Sequence, residues 1–339
     1  MLRNLLVLAL SAAVSLGVAT APAAAVNVPP AVQPVVLPRD HAPHPGFGME
    51  WWYSAGRIED RGGRAYSYFA TIWSTPSALL AHVNLIDLTT GETVVSRDQV
   101  ARGLTADAGS PLDVAVGDTS YRWRASGARG AFTVHAVTPT GRLELRLTPR
   151  RAYVLHGRKG VIQQGIGGPS AYYSATRLAV RATWVDGTTT TPLTGEGWFD
   201  HQWGNFQSVP SAMRWDWFAC RLDDGRDLML YRFLDTKNQP RTDRFVGTLV
   251  SKAGKVRHLD AFQVQERAPI VPRPDLGVGV EFPLGWRLRV PEANLDLTLK
   301  TMSQRQFIKI LGAGTIWEGA AKIVRGPKGL CFVEDSRTL

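Results

Sequence analysis

The distribution of apolar positions along the chain follows a period of two rather than a helical period. Leu143 to Leu147 alternates strictly between leucine and a charged residue. Tyr121–Arg124, Ala131–Val137 and Ala81–Leu88 alternate in the same manner, and Tyr66–Trp73 is rich in aromatic and β-branched residues. The second half repeats this texture at Phe245–Val250, Trp286–Val290, Leu295–Leu299 and Trp317–Val324. Each run is bounded by Gly, Asp, Pro or Thr, which is the punctuation of short strands joined by turns. Helical periodicity with recognisable caps is almost absent. The pattern predicts an all-β fold.

A weak internal repeat suggests how these strands are grouped. Trp52-Tyr53-Ser54 leads to Arg57-Ile58-Glu59-Asp60 and Gly63-Arg64, and Trp217-Phe218-Ala219 leads to Arg221-Leu222-Asp223-Asp224 and Gly225-Arg226. Both copies read as a Trp-bearing strand, an acidic hairpin turn and a second aromatic strand, so two similar units are expected. The Gly- and Thr-rich stretch from Asp186 to Gly197 places the boundary near Thr194, giving units 46–194 and 195–339. Residues 26–45 are proline-rich and read as an extended linker. Its His41 and His44 read as a solvated pair, since proline prevents the helix that would align them on a metal.

Ahead of the linker, Arg3, the apolar stretch Leu5–Val18 and the small residues Ala23-Ala24-Ala25 have the order of a cleavable export signal, and residues 1–25 are assigned to it. An uncleaved membrane anchor is the alternative. Of 339 residues, 33 are Gly and 11 are Trp, which suits aromatic strands and tight turns. The net charge of +10 is spread among acidic residues without a basic stripe. That excludes a recognisable nucleic-acid interface and leaves only a weak attraction to anionic membrane surfaces. It sets no oligomeric state. In an exported chain the two cysteines, Cys220 and Cys331, can form a disulfide if their strands are neighbours.

Three aromatic and polar clusters could carry chemistry: Glu50-Trp51-Trp52-Tyr53, Gly197–Gly204 and Trp215-Asp216-Trp217-Phe218 followed by Asp227–Tyr231. In an extended Gly197–Gly204, His201 and Trp203 share one face and Asp200 and Gln202 the other. Imidazole can carry a proton near neutrality and an indole face can stabilise a cation. The competing reading gives His201 a purely structural pairing with a carboxylate. Glu50, set in apolar surroundings, is either an acid with a raised pKa or half of an arginine salt bridge. Asp216 has the same two readings, and Trp215 and Trp217 are expected to form core or pocket wall. Catalytic elbows of the G-x-S-x-G type, H-E-x-x-H helices and paired-cysteine metal spacings are all missing, so no metal or other cofactor is expected.

Phe47–Tyr53, Gly197–Gly204, Trp215–Phe218, Leu222–Tyr231 and Ile316–Gly319 together resemble the AttH / hydroxyneurosporene synthase family over about residues 40–330. The resemblance implies two tandem lipocalin-like antiparallel β-barrels. It also implies kinship with carotenoid 1,2-hydratases, a fungal isoflavonoid hydratase and, more distantly, fungal decalin-forming Diels–Alderases. By the same resemblance His201, Trp203 and Tyr231 take catalytic positions, while an expected Asp is replaced by Phe233. Loss of that acid suits cyclisation or isomerisation better than hydration. The expected activity is a cofactor-independent lyase, cyclase or isomerase acting on an apolar small molecule such as a polyene, terpenoid or polyketide. Glu50, Trp51, Trp52, Asp200, Trp215, Asp216 and Trp217 would line its pocket, and the aromatic stretches of both halves would converge on one apolar hollow. A non-catalytic carrier of a hydrophobic molecule is the alternative, and a secreted hydrolase a weaker one for want of a nucleophile.

Overall fold

The computed structural model describes residues 30–101, 112–124, 129–163, 168–205, 214–234, 245–272, 281–304, 306–310 and 314–337. The proposed export signal lies outside the described residues. Twelve strands build the first sheet: β1 (Met49–Glu59), β2 (Ala65–Ser74), β3 (Leu79–Asp87), β4 (Thr93–Ala101), β5 (Asp113–Val116), β6 (Thr119–Arg124), β7 (Ala131–Thr138), β8 (Gly141–Pro149), β9 (Val154–Leu155), β10 (Val161–Gln163), β11 (Pro169–Asp186) and β12 (Thr189–Gly204). Ten build the second: β13 (Arg214–Leu222), β14 (Asp227–Leu234), β15 (Val246–Val250), β16 (Val256–Leu259), β17 (Gln263–Pro272), β18 (Glu281–Val290), β19 (Leu295–Thr301), β20 (Phe307–Ile310), β21 (Gly314–Arg325) and β22 (Gly329–Arg337).

Both sheets are antiparallel and share one plan. The first runs β4-β3-β2-β1-β12-β11-β8-β7-β6-β5, and the second runs β16-β15-β14-β13-β22-β21-β19-β18-β17. In each, a four-strand meander opens the unit and the last strand returns beside the first. The ends of the first sheet, β4 and β5, approach one another, so the sheet curls into a barrel. The strict alternation of β8 is realised directly: Leu143, Leu145 and Leu147 are buried inside while Glu144 and Arg146 face solvent.

The repeat is present in the topology, but its tryptophans are not equivalent. Gly63 and Gly225 occupy corresponding turn positions, each with positive φ and each closing a turn onto the residue three before it. Counted back from these glycines, Trp52 and Trp217 stand an odd number of positions apart, and an odd offset turns a side chain to the other face. Trp52 therefore points into the first barrel, and Trp217 points out of the second sheet towards the first.

The boundary expected near Thr194 is corrected. Residues 195–204 continue β12, which pairs with both β1 and β11, so the first unit extends to Gly204. The Gly- and Thr-rich stretch is the β11–β12 hairpin, with Gly187 in the left-handed region at φ 56°. The linker reading is corrected too. Val35 donates its N–H to the Lys159 carbonyl (3.1 Å), and a short 3-10 turn over Arg39–His41 buries Asp40 and His41 against the barrel. Cys220 and Cys331 are direct register partners on β13 and β22 and form a disulfide.

Three layers of buried side chains result. One fills the first barrel and one the second. The third lies between the sheets, where Tyr53, Phe69, Tyr172 and Trp198 meet Trp217, Tyr231 and Phe233. β1 and β12 are covered on both faces, which is why their sequences do not alternate cleanly between apolar and polar.

Candidate functional site

Inside the mouth of the first barrel, β1 and β12 pair so that Glu50 is opposite Trp203 and Trp52 is opposite His201. Side chains opposite one another share a face, so all four point inward. The segment ahead of β1 completes the group with His41 and His44. Glu50 accepts from the Nε2–H of His201 (2.7 Å) and the Nδ1–H of His44 (2.7 Å) on one oxygen, and from the His44 backbone N–H (2.8 Å) on the other. Tyr173 on β11 links the His41 imidazole to that of His201. Its hydroxyl accepts from the His41 Nδ1–H (2.7 Å) and donates to His201 Nδ1 (3.3 Å), the arrangement that satisfies every donor.

Aromatic faces wall this array. His44 stacks on Trp203, and His201 lies between Trp52 (centroids 5.0 Å apart, 28°) and Trp203 (4.7 Å). The Trp52 Nε1–H is buried and, among the described residues, has no hydrogen-bond acceptor. An orphaned donor of this kind costs about 1–3 kcal/mol unless something supplies an oxygen.

The groups do not titrate alike. Burial pushes Glu50 up, but its hydrogen bonds from His201 and His44 outweigh that and hold it below the ordinary carboxylate value. Glu50 is therefore a paired carboxylate; its partners are two histidines rather than an arginine, and the raised acid is not found. Burial lowers His201 more than Glu50 raises it, so His201 is held neutral. His44 goes the other way: burial disfavours its charge, but Asp40 and Glu50 overcome this and raise it. Burial lowers His41 to about 3. The proton-carrying imidazole of the array is His44, with Glu50 as its counter-charge. Its Nε2 also faces Asp40 at 3.7 Å. The solvated-pair reading of His41 and His44 is thus corrected: both histidines are folded into the barrel mouth, and Asp40 and the stack on Trp203 hold His44 there. His44, Glu50 and His201 bring one ligand atom each within 4.8 Å, a geometry compatible with a metal ion, although hydrogen bonding already satisfies all three.

The remaining sequence candidates lie on the opposite face of these strands, in the layer between the sheets. Asp200 accepts from Trp198 Nε1–H (2.8 Å), Tyr172 O–H (3.0 Å) and the Ser174 hydroxyl. Burial nevertheless pushes it up to about 7. Trp217 donates to the Tyr172 hydroxyl (3.0 Å), joining the second sheet to this carboxyl. Ser174 also meets His156 (2.6 Å), which reaches Thr248 on β15 (2.9 Å). In a serine hydrolase relay the imidazole stands between hydroxyl and carboxylate. Here the serine stands between them, so these residues form a tie and not a nucleophile.

Tyr231 belongs to this interlayer, packed on Phe233 (4.4 Å), and is not part of the His201 array. A single cross-strand row runs Tyr231, Trp217, Glu334, Glu318 over β14, β13, β22 and β21. Tyr53 donates to Glu318 (2.6 Å) and Trp215 to Glu334 (2.9 Å). Burial raises both carboxyls; the charge of Glu334 drives Glu318 further up, whereas the hydrogen bonds from Trp215 and Glu318 hold Glu334 back. Asp216 pairs with Arg232 and is structural. Trp51 packs on the edge of the interlayer. The expected convergence of both halves on one hollow is corrected, because alternation sends Trp52, His201 and Trp203 to the barrel interior and Trp198, Asp200, Trp215 and Trp217 away from it.

Sequence reasoning did not assign roles to Tyr173, Glu318 or Glu334. A glutamate between Trp317 and Gly319 in an apolar strand is a detectable signal, since unpaired buried glutamate is rare.

Residues 28–334 match the family model described as AttH-like. A crystal structure of an AttH-type protein (NE1406) from Nitrosomonas europaea is similar at TM-score 0.80 and 23% identity, covering 91% of this chain and 98% of that one. Kievitone hydratase from Nectria haematococca is similar at TM-score 0.73 and 18% identity, covering 91% and 94%. CghA with Sch210972 is similar at TM-score 0.55 and 12% identity, covering 93% and 96%. No curated protein matches the chain. The match across nearly its whole length and the shared tandem-barrel architecture make this chain a member of the AttH-like family.

Proposed function

We propose that the protein is a cofactor-independent lyase, cyclase or isomerase acting on an apolar small molecule at the mouth of the first barrel. The observation that carries this reading is the His44–Glu50–His201 array enclosed by the faces of Trp52 and Trp203. His44, whose pKa is raised, delivers a proton to an alkene or enol of the substrate. The proton leaves His44 Nε2 while its Nδ1–H stays bonded to Glu50; Nε2 takes a proton back when the substrate cation eliminates one or is captured by water, and neutral His201 fixes the carboxylate. The indoles of Trp52 and Trp203 stabilise the developing cation, by about 0.5–2 kcal/mol each according to desolvation. In this reading the Trp52 N–H donates to an oxygen of the substrate or of an attacking water, the partner it lacks among the described residues. Where the substrate is a polyene or polyketide, holding it folded supplies the rest of the acceleration. The similarity to kievitone hydratase supports this class of chemistry.

The acid role therefore moves from His201, expected from sequence, to His44. The test is incubation of the purified protein with metabolites produced by its neighbouring genes, in deuterium oxide, followed by mass spectrometry. Conversion with one deuterium incorporated is expected. It should fall about 100-fold or more in His44→Gln, and Trp203→Phe should retain binding with slower turnover. Tight binding without conversion or deuterium uptake would establish a carrier instead. Export from the cytoplasm, read from residues 1–25, suits a late tailoring step on a secreted metabolite.

A further inference from the structure

A groove of about 930 Å3 lies where the β3–β4 turn of the first unit meets the outer face of β17–β19 in the second. It is separate from the barrel mouth. The turn is tied down by the Ser303 hydroxyl, which donates to the Gly91 carbonyl (3.3 Å). Its volume lies within the range of about 300–1,000 Å3 usual for small-molecule sites.

The register of this face is unusual in its charge. Arg267, Gly285 and Lys300 form one cross-strand row over β17, β18 and β19, so their side positions share a face. The two cations are thus two strands apart, about 10 Å. Between them glycine leaves an opening with no side chain. A Cβ there would lie 2.6 Å from the Leu299 carbonyl oxygen, so the opening is fixed by backbone. Arg267 is half-buried, and its Nε–H is inaccessible to water and has no acceptor. Among the described residues neither Arg267 nor Lys300 has an anionic partner. On the same face, Arg287 does have one, held by Asp296 at 2.5 Å. A buried N–H left without an acceptor carries the full cost of its desolvation. The lining carries one carboxylate, Glu92, which is exposed. The apolar part is made by Met302 and Val324, the latter 52% exposed.

Together these features describe a cationic cradle beside an apolar slope. We propose that this groove binds a small amphipathic anion, with its carboxylate or phosphate held between Arg267 and Lys300 and its hydrocarbon body lying along Met302 and Val324. Arg267 would supply the planar fork and Lys300 a point charge. The reading is independent of the reaction proposed for the barrel mouth.

Titration calorimetry with monomeric decanoate, decyl phosphate and decanol tests it, using the full-length mature chain. Saturable binding of the anions is expected, with decanol at least about tenfold weaker, since charge-assisted bonds supply that discrimination. Arg267→Met and Lys300→Met should each weaken decanoate about tenfold or more, Arg267→Lys should recover part of it, and Arg287→Met should change nothing. All variants are compared at equal thermal stability, so a folding defect is visible. Equal affinity for decanol and decanoate, or decanoate binding unaffected by the double variant, would overturn the proposal. So would binding to phosphatidylglycerol vesicles with none to monomeric anions, which would assign the charges to a bilayer surface.

Discussion

His44 lies flat on Trp203, with ring centroids 3.8 Å apart and planes within 5° of parallel. The two residues come from opposite ends of the first unit. One belongs to a proline-rich segment before the first strand, the other to the strand that closes the sheet. The contact therefore fastens that segment over the barrel mouth while it places a protonatable ring against an indole face.

This pair makes a prediction about pH. A histidine raised on folding contributes stability that is fully present below about 6.5, its ordinary value, and is lost as pH rises through its higher folded value. His44→Ala should therefore cost more at pH 5.5 than at pH 9, with a loss of about 1–2 kcal/mol at the acidic end from stacking and charge. Urea titrations at the two pH values measure it. Equal losses at both would mean that His44 is neutral in the folded protein.

Asp200 predicts the opposite kind of dependence from the carboxylate side. Its folded pKa of about 7 exceeds the ordinary 3.8, so between those values the unfolded chain has released a proton that the folded one retains. Stability from this group is thus highest below pH 4, falls as pH rises towards 7 and is level above it. Asp200→Asn keeps the shape and can still accept from Trp198 and Ser174 while donating to Tyr172. The difference between wild-type and Asn stability should shift in favour of the variant across pH 4–7. A difference independent of pH would show that Asp200 ionises normally.

Much of this fold was legible in the sequence, and the reason is physical. Alternation such as Leu143–Leu147 reports one buried face directly, and the plan of two repeated units follows from recurring hairpins. The split of His201 and Trp203 from Asp200 was legible for the same reason, because period two requires it. What period two does not report is what covers the second face of a strand. Trp217 and Tyr231 are apolar residues in strands wherever they point, and only the docking of one sheet on the other separates them from His201. The role of His44 was hidden differently. Its partners are distant in sequence, except Glu50 and Asp40, and a proline-rich composition suggests a free linker until the Lys159 carbonyl and Trp203 are seen to hold it.

The disulfide should be a major contributor to stability. Cys220 and Cys331 are 111 residues apart, and in the chain-entropy model closing such a loop restrains the unfolded chain by about 4–5 kcal/mol. Both sulfurs sit in the second barrel core, so the double Cys→Ala variant should lose about 2–5 kcal/mol. Wild-type protein under reducing conditions should lose a similar amount. If the variant and the reduced protein match oxidised wild type in denaturant midpoint, the bridge is not formed in solution.

A last prediction concerns the glycines that let a tyrosine cross the first sheet. Gly56 on β1 pairs with Gly197 on β12 and with Tyr68 on β2. The Tyr68 ring lies across the gap they leave: a Cβ on Gly56 would be 2.1 Å from its Cε1, and one on Gly197 would be 2.4 Å from its hydroxyl. Tyr68 is fully buried, so it cannot swing aside. Gly56→Ala should destabilise the protein by about 1–3 kcal/mol through overpacking, and Gly197→Ala by a similar amount. Because the Cβ on Gly56 would also meet the Glu196 carbonyl oxygen at 2.6 Å, shortening the tyrosine should rescue it only in part. Gly197 approaches the backbone less closely, at 2.9 Å from the Ala55 oxygen, so Tyr68→Leu should restore more of the loss there. A double-mutant cycle at each glycine reads this out, and additive losses in both cycles would mean the ring and the glycines do not interact.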